Sequence, residues 1–416
     1  MTQVHKRLNA DQVSFILQAY CEGRLNRRSA EEMLRIGKTR FFALLKEYRG
    51  NANGFSLSYE RTSPSRLSAM TEEAVAKEKK KKKGLVDDPT LPITTYNYSA
   101  VRDRLPEEIK VSLSTIINRA KHMGCYQPHP RKKVHDREVI TTAIGALVQH
   151  DASQHRWSPF VQDKWVLITS LDDFSRKLLY ADLVQKETTW AHIKGTENVM
   201  RKYGLPLRYY VDSLRVFRFV QNRDSMWRKH VVGTDESDPQ WRQIMRLLGV
   251  DVTYALSPQA KGKIERPYRW LQDRIVRTCA IEKLSTIDEV RGVIRHEVDR
   301  YNNRQVHSTT GQIPSIRFEE ARKQGNSLFR PFALPNQYTS VNDIFCLREK
   351  RTTDGYGKIS LFHHKIRVPD VPLREEVEVH MVPDPARGVM HIRIWWENKM
   401  KCNVDYPLTD FPRVHF

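Results

Sequence analysis

The hydrophobic pattern between residues 140 and 302 alternates between strands and helices, and this alternation constrains the fold more than any other feature of the chain. Three short apolar runs follow one another with brief turns, at residues 146–152, 165–172 and 177–185. Two later strands, at residues 208–212 and 251–255, alternate with helices at residues 188–202, 239–248, 262–282 and 287–302. Three antiparallel strands followed by two strands joined through helices predict a mixed α/β sheet.

The first 50 residues have a helical period and predict three short helices. Ser29, with Glu32 three residues later, predicts a capping box at the start of the second helix. Gly37 is expected to end that helix before the third one begins.

The third helix, at residues 38–48, is expected to bury Phe42 and Leu45, with Phe41 as a further candidate, and to leave a basic face in solvent. The polar positions on that face are Lys38, Arg40, Lys46 and Arg49. A helix of this kind suits the major groove of DNA, and we predict a helix-turn-helix DNA-binding domain at residues 1–50 with Lys38, Arg40 and Lys46 as contacts. Plain packing in a three-helix cluster is the alternative.

Residues 51–90 are rich in Asn, Gly, Ser and Thr and contain five consecutive lysines, so we predict a basic linker. The lysines could bind phosphates, although a solvated helix end fits them equally well. Residues 91–135 return to a helical period and predict a second helix-turn-helix domain followed by an extended connector. The polar positions expected to contact DNA there are Ser114, Asn118, Arg119 and Lys121.

The helical period disappears after residue 335, where short apolar runs are separated by turn residues. The runs lie at residues 344–348, 358–362, 365–368, 376–382 and 390–396. The turns include Asp354-Gly355 and Arg387-Gly388. Five short strands with Gly and Pro between them predict a small β-barrel domain at residues 335–416.

The chain carries 70 Lys and Arg against 49 Asp and Glu, so its formal net charge is 70 − 49 = +21. A charge of this size attracts a polyanion, which makes nucleic acid the leading partner and a basic surface facing solvent or a membrane the alternative. The five cysteines are odd in number and far apart, which excludes a disulfide framework and CxxC zinc spacing. No run of 18 apolar residues and no secretory signal is present, so we expect a soluble intracellular protein.

Three acidic residues lie where the predicted elements meet at one edge of the sheet. Asp151 is expected to end the first strand, Asp212 ends the fourth, and Glu265 opens the long helix. Carboxylate oxygens are the ligands that Mg²⁺ prefers, and two such ions would support displacement at a phosphodiester. Taken singly, each acid is more easily explained as an ordinary surface residue.

Pro267 places Glu265 in the opening turn of its helix, because proline is tolerated in a helix only near the first turn. The helix dipole favours a carboxylate there. Lys261 and Lys263 come just before the helix and are predicted to bind DNA phosphates. No GxxxxGK[ST] phosphate loop is present, so ATP hydrolysis is not expected.

Four motifs resemble those of the integrase-type transposases with a DDE active site, which are members of the retroviral integrase superfamily. The motifs are His150-Asp151, residues 171–176, residues 257–266, and Tyr301-Asn302-Asn303-Arg304 with His307, Gly311 and Pro314. The resemblance spans residues 145–320 and implies a ribonuclease H-like integrase catalytic core at residues 140–325. It implies metal-dependent DNA cleavage and strand transfer, with Mg²⁺ or Mn²⁺ as cofactor.

Residue by residue, Asp151, Asp212 and Glu265 match the catalytic, metal-binding positions of that family. Asp172 and Asp173 match a turn whose role in the family is structural. The flanking domains resemble those of bacterial insertion-sequence transposases. The resemblance therefore implies DNA as partner, at least a dimer on paired element ends, and a bacterial cytoplasmic location with nucleoid association on DNA. The absence of a long apolar run separately predicts no membrane partner.

The chain departs from the family pattern in three places. Ser213-Leu214 stand where the family commonly has Asn or His and then Gly. The interval from Asp212 to Glu265 is 265 − 212 = 53 positions, longer than usual, and the zinc module of retroviral integrases is missing. Two other functions stay open: a catalytically inactive DNA-binding regulator derived from a transposase, and a nuclease that only hydrolyses.

Overall fold

The structure is a computed structural model that describes residues 4, 7–52, 54–57, 67–128, 141–212, 240–255 and 265–411, without the side chains of residues 265 and 266. The chain divides into two compact units, Met1–Glu73 and Ala74–Phe416. Within the described ranges, no helix has the length and apolar character needed to cross a bilayer.

The first unit contains three helices, α1 (Ala10–Cys21), α2 (Arg27–Leu34) and α3 (Lys38–Gly50). Their core is apolar and includes Val13, Leu17, Leu34, Phe41 and Leu44. The three helices predicted from the sequence are therefore confirmed.

Three local predictions in this unit are wrong. Helix α2 ends at Leu34 with Arg35 as its C-cap, so Gly37 does not end α2 and is instead the N-cap of α3.

Asn26, not Ser29, caps α2, because its side chain accepts the backbone N–H of Ser29 at 2.9 Å. Phe41 is fully buried beneath the ring of Tyr20, whereas its neighbour Phe42 is 42% exposed. Adjacent positions of a helix differ by about 100° around its axis, so only one of the two phenylalanines can enter the core.

The second unit is built on a five-stranded sheet. Its strands are β1 (Val148–His155), β2 (Trp165–Asp172), β3 (Leu178–Val184), β4 (Arg208–Val211) and β5 (Asp251–Tyr254). The strand order is β3-β2-β1-β4-β5, in which β1, β2 and β3 are antiparallel while β4 and β5 run parallel to β1. The mixed α/β sheet that the sequence predicts is confirmed.

Helices cover both faces of this sheet. They are α7 (Thr189–Tyr203), α8 (Gln240–Leu247), α9 (Glu265–Glu282), α10 (Ile287–Asn303) and α11 (Pro314–Lys323). Leu179 belongs to the core that includes Ile193 of α7 and Ile244 of α8, whereas Leu178 belongs to the core of Leu271 in α9. Consecutive residues of a strand point to opposite faces, so α9 and α10 lie across the sheet from α7 and α8.

Three helices precede the sheet, α4 (Ala69–Asp87), α5 (Tyr98–Arg102) and α6 (Leu113–His122). Thus α4 occupies much of the stretch predicted as a basic linker. Its Leu85 packs with Val276 and Ala280 of α9, and Lys79 and Lys82 of the lysine run are almost fully buried. Burial lowers the pKa of Lys82 to about 8.

The C-terminal part of the second unit contains six strands rather than the five predicted. They are β6 (Leu347–Thr352), β7 (Lys358–Leu361), β8 (His364–Arg367), β9 (Glu376–Asp384), β10 (Val389–Trp396) and β11 (Lys399–Pro407). Four of them form an antiparallel sheet in the order β11-β10-β9-β6, and β7 and β8 form a separate hairpin. Because β6 and β11 are edge strands in the described pairing, a closed barrel is not confirmed.

Candidate active site

Asp151 and Asp212 are separated by the same number of residues as the paired positions of two neighbouring parallel strands. Val148 of β1 pairs with Tyr209 of β4 and Gln149 pairs with Tyr210, an offset of 209 − 148 = 61 residues. The same offset relates Asp151 to Asp212, since 212 − 151 = 61. Neighbouring strands lie about 4.8 Å apart, so the two acids are side by side if the offset continues.

The position of Asp151 in its strand differs from the prediction. It is the fourth residue of β1, which extends to His155, and does not end the strand. Only the first part of β1 pairs with β4, so Asp151 lies where the β4 side of the sheet becomes open. Asp151 is 8% exposed, and Asp212, directly after β4, is half-buried.

Helix α9 lies on the sheet face that carries Asp151. Thr169 of β2 is the cross-strand partner of Asp151, and directly opposite residues of an antiparallel pair project to the same face. The Thr169 Oγ1 hydroxyl donates to Tyr268 Oη of α9 at 2.8 Å. One turn further along α9, Gln272 Nε2 donates to Ser153 Oγ at 3.3 Å.

Glu265 is the first residue of α9 and lies three positions before Tyr268. Residues three apart lie on the same side of a helix, which directs this position toward the sheet. Among the side chains that the structure describes, no three His, Cys, Asp or Glu residues come together as a metal site. The convergence of Glu265 with the two aspartates therefore stays a prediction, while the paired carboxylates fit Mg²⁺ in their chemistry.

The ionisation of Tyr268 reports on the acids around it. Burial is the largest cause of a Tyr268 pKa well above its usual value, and the negative charge of Asp151 is the next. The hydrogen bond from Thr169 lowers this pKa, and the charges of Glu187 and Asp212 raise it further. Both predicted aspartates thus act on one phenol at the opening of α9, and the phenol keeps its proton.

Glu187 is an acid near the site that the sequence did not indicate. It ends a string of hydrogen bonds on the opposite face of β1, in which His192 Nε2 lies 3.0 Å from Glu187 Oε1. His150 Nε2 lies 2.9 Å from His192 Nδ1, and His150 Nδ1 lies 2.8 Å from Ser170 Oγ. The only local signal is the position of Glu187 directly before Thr188, the capping residue of α7.

Asp172 and Asp173 are fully buried and hold the turn between β2 and β3. Asp172 accepts two hydrogen bonds from Ser175, on the backbone N–H and the hydroxyl, at 2.8 and 2.6 Å. Asp173 forms an ion pair with Arg176 at 2.7 Å and accepts from Gln149 at 2.6 Å. Burial raises the pKa of Asp172. These contacts give both acids structural roles, as the resemblance implies.

The residues predicted to contact DNA lie on two helices. Lys38, Arg40 and Lys46 are exposed on α3, as predicted. On α6, Ser114, Asn118 and Lys121 are exposed, and Arg119 is half-buried. Lys261 and Lys263 lie outside the described residues. Contact with DNA stays a prediction for all of them.

Fold and site together define a mixed α/β protein in which Asp151 lies in one strand and Asp212 directly follows the neighbouring parallel strand. No family model matches the chain. It is similar to bacterial transposases, which confirms the resemblance to the DDE transposase and integrase superfamily that the motifs predicted.

Two curated relatives illustrate this similarity. The putative transposase y4bF of Sinorhizobium fredii (strain NBRC 101917 / NGR234) is 28% identical over 222 residues, which cover 53% of this chain and 43% of that protein. The transposase for insertion sequence IS1202 of Streptococcus pneumoniae is 28% identical over 190 residues, 46% of this chain and 38% of that protein. The match thus spans about two fifths of the length of either relative.

Solved structures of viral integrases are also similar to parts of the chain. The HTLV-2 integrase catalytic core in complex with magnesium has a TM-score of 0.32 at 14% identity and covers 42% of this chain and 96% of that one. The catalytic core of BIV integrase has a TM-score of 0.30 at 16% identity and covers 44% of this chain and 98% of that one.

Proposed function

We propose that this protein is a transposase that cuts DNA at the ends of a mobile element and joins those ends to target DNA, using Mg²⁺ or Mn²⁺. The observation that carries the proposal is that Asp151 and Asp212 share the 61-residue offset that pairs β1 with β4, with Asp151 on the sheet face where the helix that begins at Glu265 packs. The similarity to two bacterial transposases supports the same reaction class.

In this proposal Asp151, Asp212 and Glu265 hold the ions. When bound, divalent ions would activate a water or a 3′-hydroxyl and stabilise the leaving oxygen of a phosphodiester. The burial of Asp151 keeps bulk water from one side of the site, which strengthens charge interactions there. Lys261 and Lys263 bind the phosphates next to the scissile bond.

The flanking parts supply recognition. Residues 1–50 and 91–135 act as helix-turn-helix domains that read the element ends, and residues 51–90 join them. Residues 140–325 form a ribonuclease H-like catalytic core, and residues 335–416 form a small β-barrel-like domain that binds phosphates with little sequence preference. Two element ends must be processed together, so the active form contains at least two copies of the chain.

The experiment is a cleavage and joining assay with labelled element-end duplex, a supercoiled target plasmid and Mg²⁺. Wild-type protein is compared with Asp151→Asn, Asp212→Asn and Glu265→Gln, and with Asp163→Asn as a control at an exposed acid before β2. We expect the three site variants to bind end DNA but to lose cutting and joining, because each loses a charged ligand while keeping its shape. The control is expected to remain active.

The outcomes separate the alternatives. A near wild-type rate for Asp212→Asn or Glu265→Gln, or full activity in excess EDTA, would contradict the metal mechanism. Wild-type protein that binds end DNA without cutting it would favour the catalytically inactive regulator. Cutting without joining would favour the nuclease.

A further inference from the structure

We propose that Tyr268 is a positioning residue of this site, which fixes the opening turn of α9 through its hydrogen bond with Thr169. The inference rests on the proposed function, because the turn that it positions carries Glu265. Tyr268 is not one of the three predicted acids, and we infer that it acts by placing one of them, Glu265.

The bond between Thr169 and Tyr268 is buried and short. The two oxygens are 2.8 Å apart, and the residues are 1% and 5% exposed. Both hydroxyls lie in the protein interior, so removing one of them takes a buried hydrogen bond away from the other. Leaving one unsatisfied would cost about 1–3 kcal/mol, which makes the contact a strong constraint on where the helix lies.

The contact between Thr169 and Tyr268 also lies at the level of Asp151 in the sheet. Thr169 is the residue directly across from Asp151 in the β1–β2 ladder. The hydrogen bond of Tyr268 therefore connects α9 to Thr169, the cross-strand partner of Asp151, on the sheet face that carries Asp151. Glu265 lies less than one helical turn earlier on the same side of α9.

A second bond keeps the helix parallel to β1. Gln272, four residues after Tyr268, donates to Ser153, two residues after Asp151. The helix advances about 6 Å in four residues and the strand about 6.6 Å in two, so the two contacts match in spacing. The two bonds together fix the direction of α9. The position of its first residue, Glu265, along β1 then depends on the nearer bond, which Tyr268 forms with Thr169.

Packing alone does not provide this constraint. The ring of Tyr268 lies in an apolar core with Leu167 and Leu271, where a phenylalanine ring would pack in the same volume. The hydroxyl adds a directional bond that sets the helix against one particular threonine. Misplacing a catalytic group by about 1 Å can cost a hundredfold in rate, which is the scale on which such a bond matters.

The chain offers a matched control in Tyr301 of α10. Its ring belongs to the same core as that of Tyr268 and is 4% exposed. Its hydroxyl is buried but has no hydrogen-bond partner in the described part of the chain. Tyr301→Phe therefore removes the same atom from the same core without removing a bond.

The test uses the full chain in five forms besides wild type: Tyr268→Phe, Thr169→Val, their double mutant, Thr169→Ser and Tyr301→Phe. Mn²⁺ binding is measured without DNA by electron paramagnetic resonance, and kcat for end cleavage is measured at saturating DNA. Tyr268→Phe and Thr169→Val should each weaken Mn²⁺ binding and lower kcat by about 10- to 100-fold, the range for residues that orient metal ligands. Thr169→Ser and Tyr301→Phe should match wild type.

The double mutant should be no worse than either single mutant, because both remove the same bond. Unchanged Mn²⁺ affinity and kcat in Tyr268→Phe and Thr169→Val would overturn the inference, even if urea unfolding shows a loss of stability. Losses that multiply in the double mutant would overturn it too. Wild-type protein that neither binds Mn²⁺ nor cuts end DNA would reject the proposed function itself, so the two failures are distinguishable.

Discussion

Asp212 follows the last residue of β4 at the same 61-residue offset from Asp151 that pairs β4 with β1. Two carboxylates on adjacent strands repel each other when both are ionised, and a cation bound between them offsets this repulsion. The arrangement therefore has consequences for stability as well as for catalysis.

Asp212→Asn is expected to lose the stabilisation that Mn²⁺ gives the wild-type protein, because one of the two charges that would hold the ion is removed. Wild-type protein should gain about 2.7 kcal/mol in its free energy of unfolding at a hundredfold excess of Mn²⁺ over Kd, and the variant should gain little. Urea unfolding with and without Mn²⁺ measures this difference. An equal gain in the variant would contradict the pairing of the two acids.

Asp173→Asn should destabilise the protein, since Asp173 is fully buried and forms an ion pair with Arg176, which is 3% exposed. Breaking one side of a buried ion pair costs about 3–5 kcal/mol because the remaining charge stays buried. Urea unfolding is the measurement, with Asp163→Asn as the exposed control. Equal stability of the two variants would show that the turn does not depend on this pair.

Much of the core fold can be predicted because its periodicity is strong. The predicted bounds of the buried strand β2 agree with the observed Trp165–Asp172, and those of β4 and α10 agree within one residue. Strand β11 escapes prediction because its hairpin turn, Glu397-Asn398, reaches positive φ without a glycine and so gives no turn signal. The packing of helix α4 is not predicted because a run of lysines normally indicates solvent exposure, whereas Lys79 and Lys82 are buried.

The candidate site also contains residues that the sequence indicates and residues that it does not. The sequence proposes the three acids because each lies at a recognisable place in the chain order of strands and helices, and their convergence stays a prediction. Tyr268 cannot be predicted, because its hydrogen bond joins distant elements. Glu187 cannot be predicted either, because its connection to β1 passes through His192 to His150, which are 42 positions apart. Thr169 and Tyr268 are 99 positions apart, and no local pattern in the sequence relates them.

Arg274→Met should destabilise the second unit. Arg274 is 3% exposed, donates to Asp103 at 2.7 Å and lies 3.7 Å from Glu297. Methionine keeps much of the volume but removes one cation from beside both acids, while Arg300 stays 3.7 Å from Asp103 and 3.5 Å from Glu297. Losing the charged hydrogen bond to Asp103 is expected to cost about 1.5–3 kcal/mol. A double-mutant cycle with Asp103→Asn measures the coupling. Additive effects in that cycle would mean that the two side chains do not interact.

Arg40→Ala and Lys46→Ala test the proposed DNA face of α3, where both side chains are exposed. For every DNA phosphate that a variant no longer binds, the slope of log K against log salt should fall by about 0.9. Arg24→Ala, at an exposed arginine outside α3 that pairs with Glu22, is the control and should leave the slope unchanged. Equal slopes in all three variants and wild type would assign α3 to packing alone.

His307 should make the protein less stable in mild acid. Burial, followed by the positive charge of Arg176, lowers the pKa of His307 from 6.5 to about 4. Its Nδ1 accepts the backbone N–H of Thr309 at 3.2 Å, a bond that requires the unprotonated nitrogen. Between pH 6.5 and about 4 the unfolded chain therefore binds a proton that the folded chain does not, so stability falls as the pH falls through this window.

The size of this effect can be isolated with His307→Gln. Urea unfolding at pH 7 and again near pH 4 should show that wild type loses about 2 kcal/mol more than the variant, less than the full pKa shift implies because the imidazole is only partly buried. His296→Gln, at an exposed histidine of α10, is the control and should lose as much as wild type. If His307→Gln loses as much stability as wild type between the two pH values, the folded protein tolerates a charged imidazole at this position, and the contact with Thr309 does not depend on its neutral form.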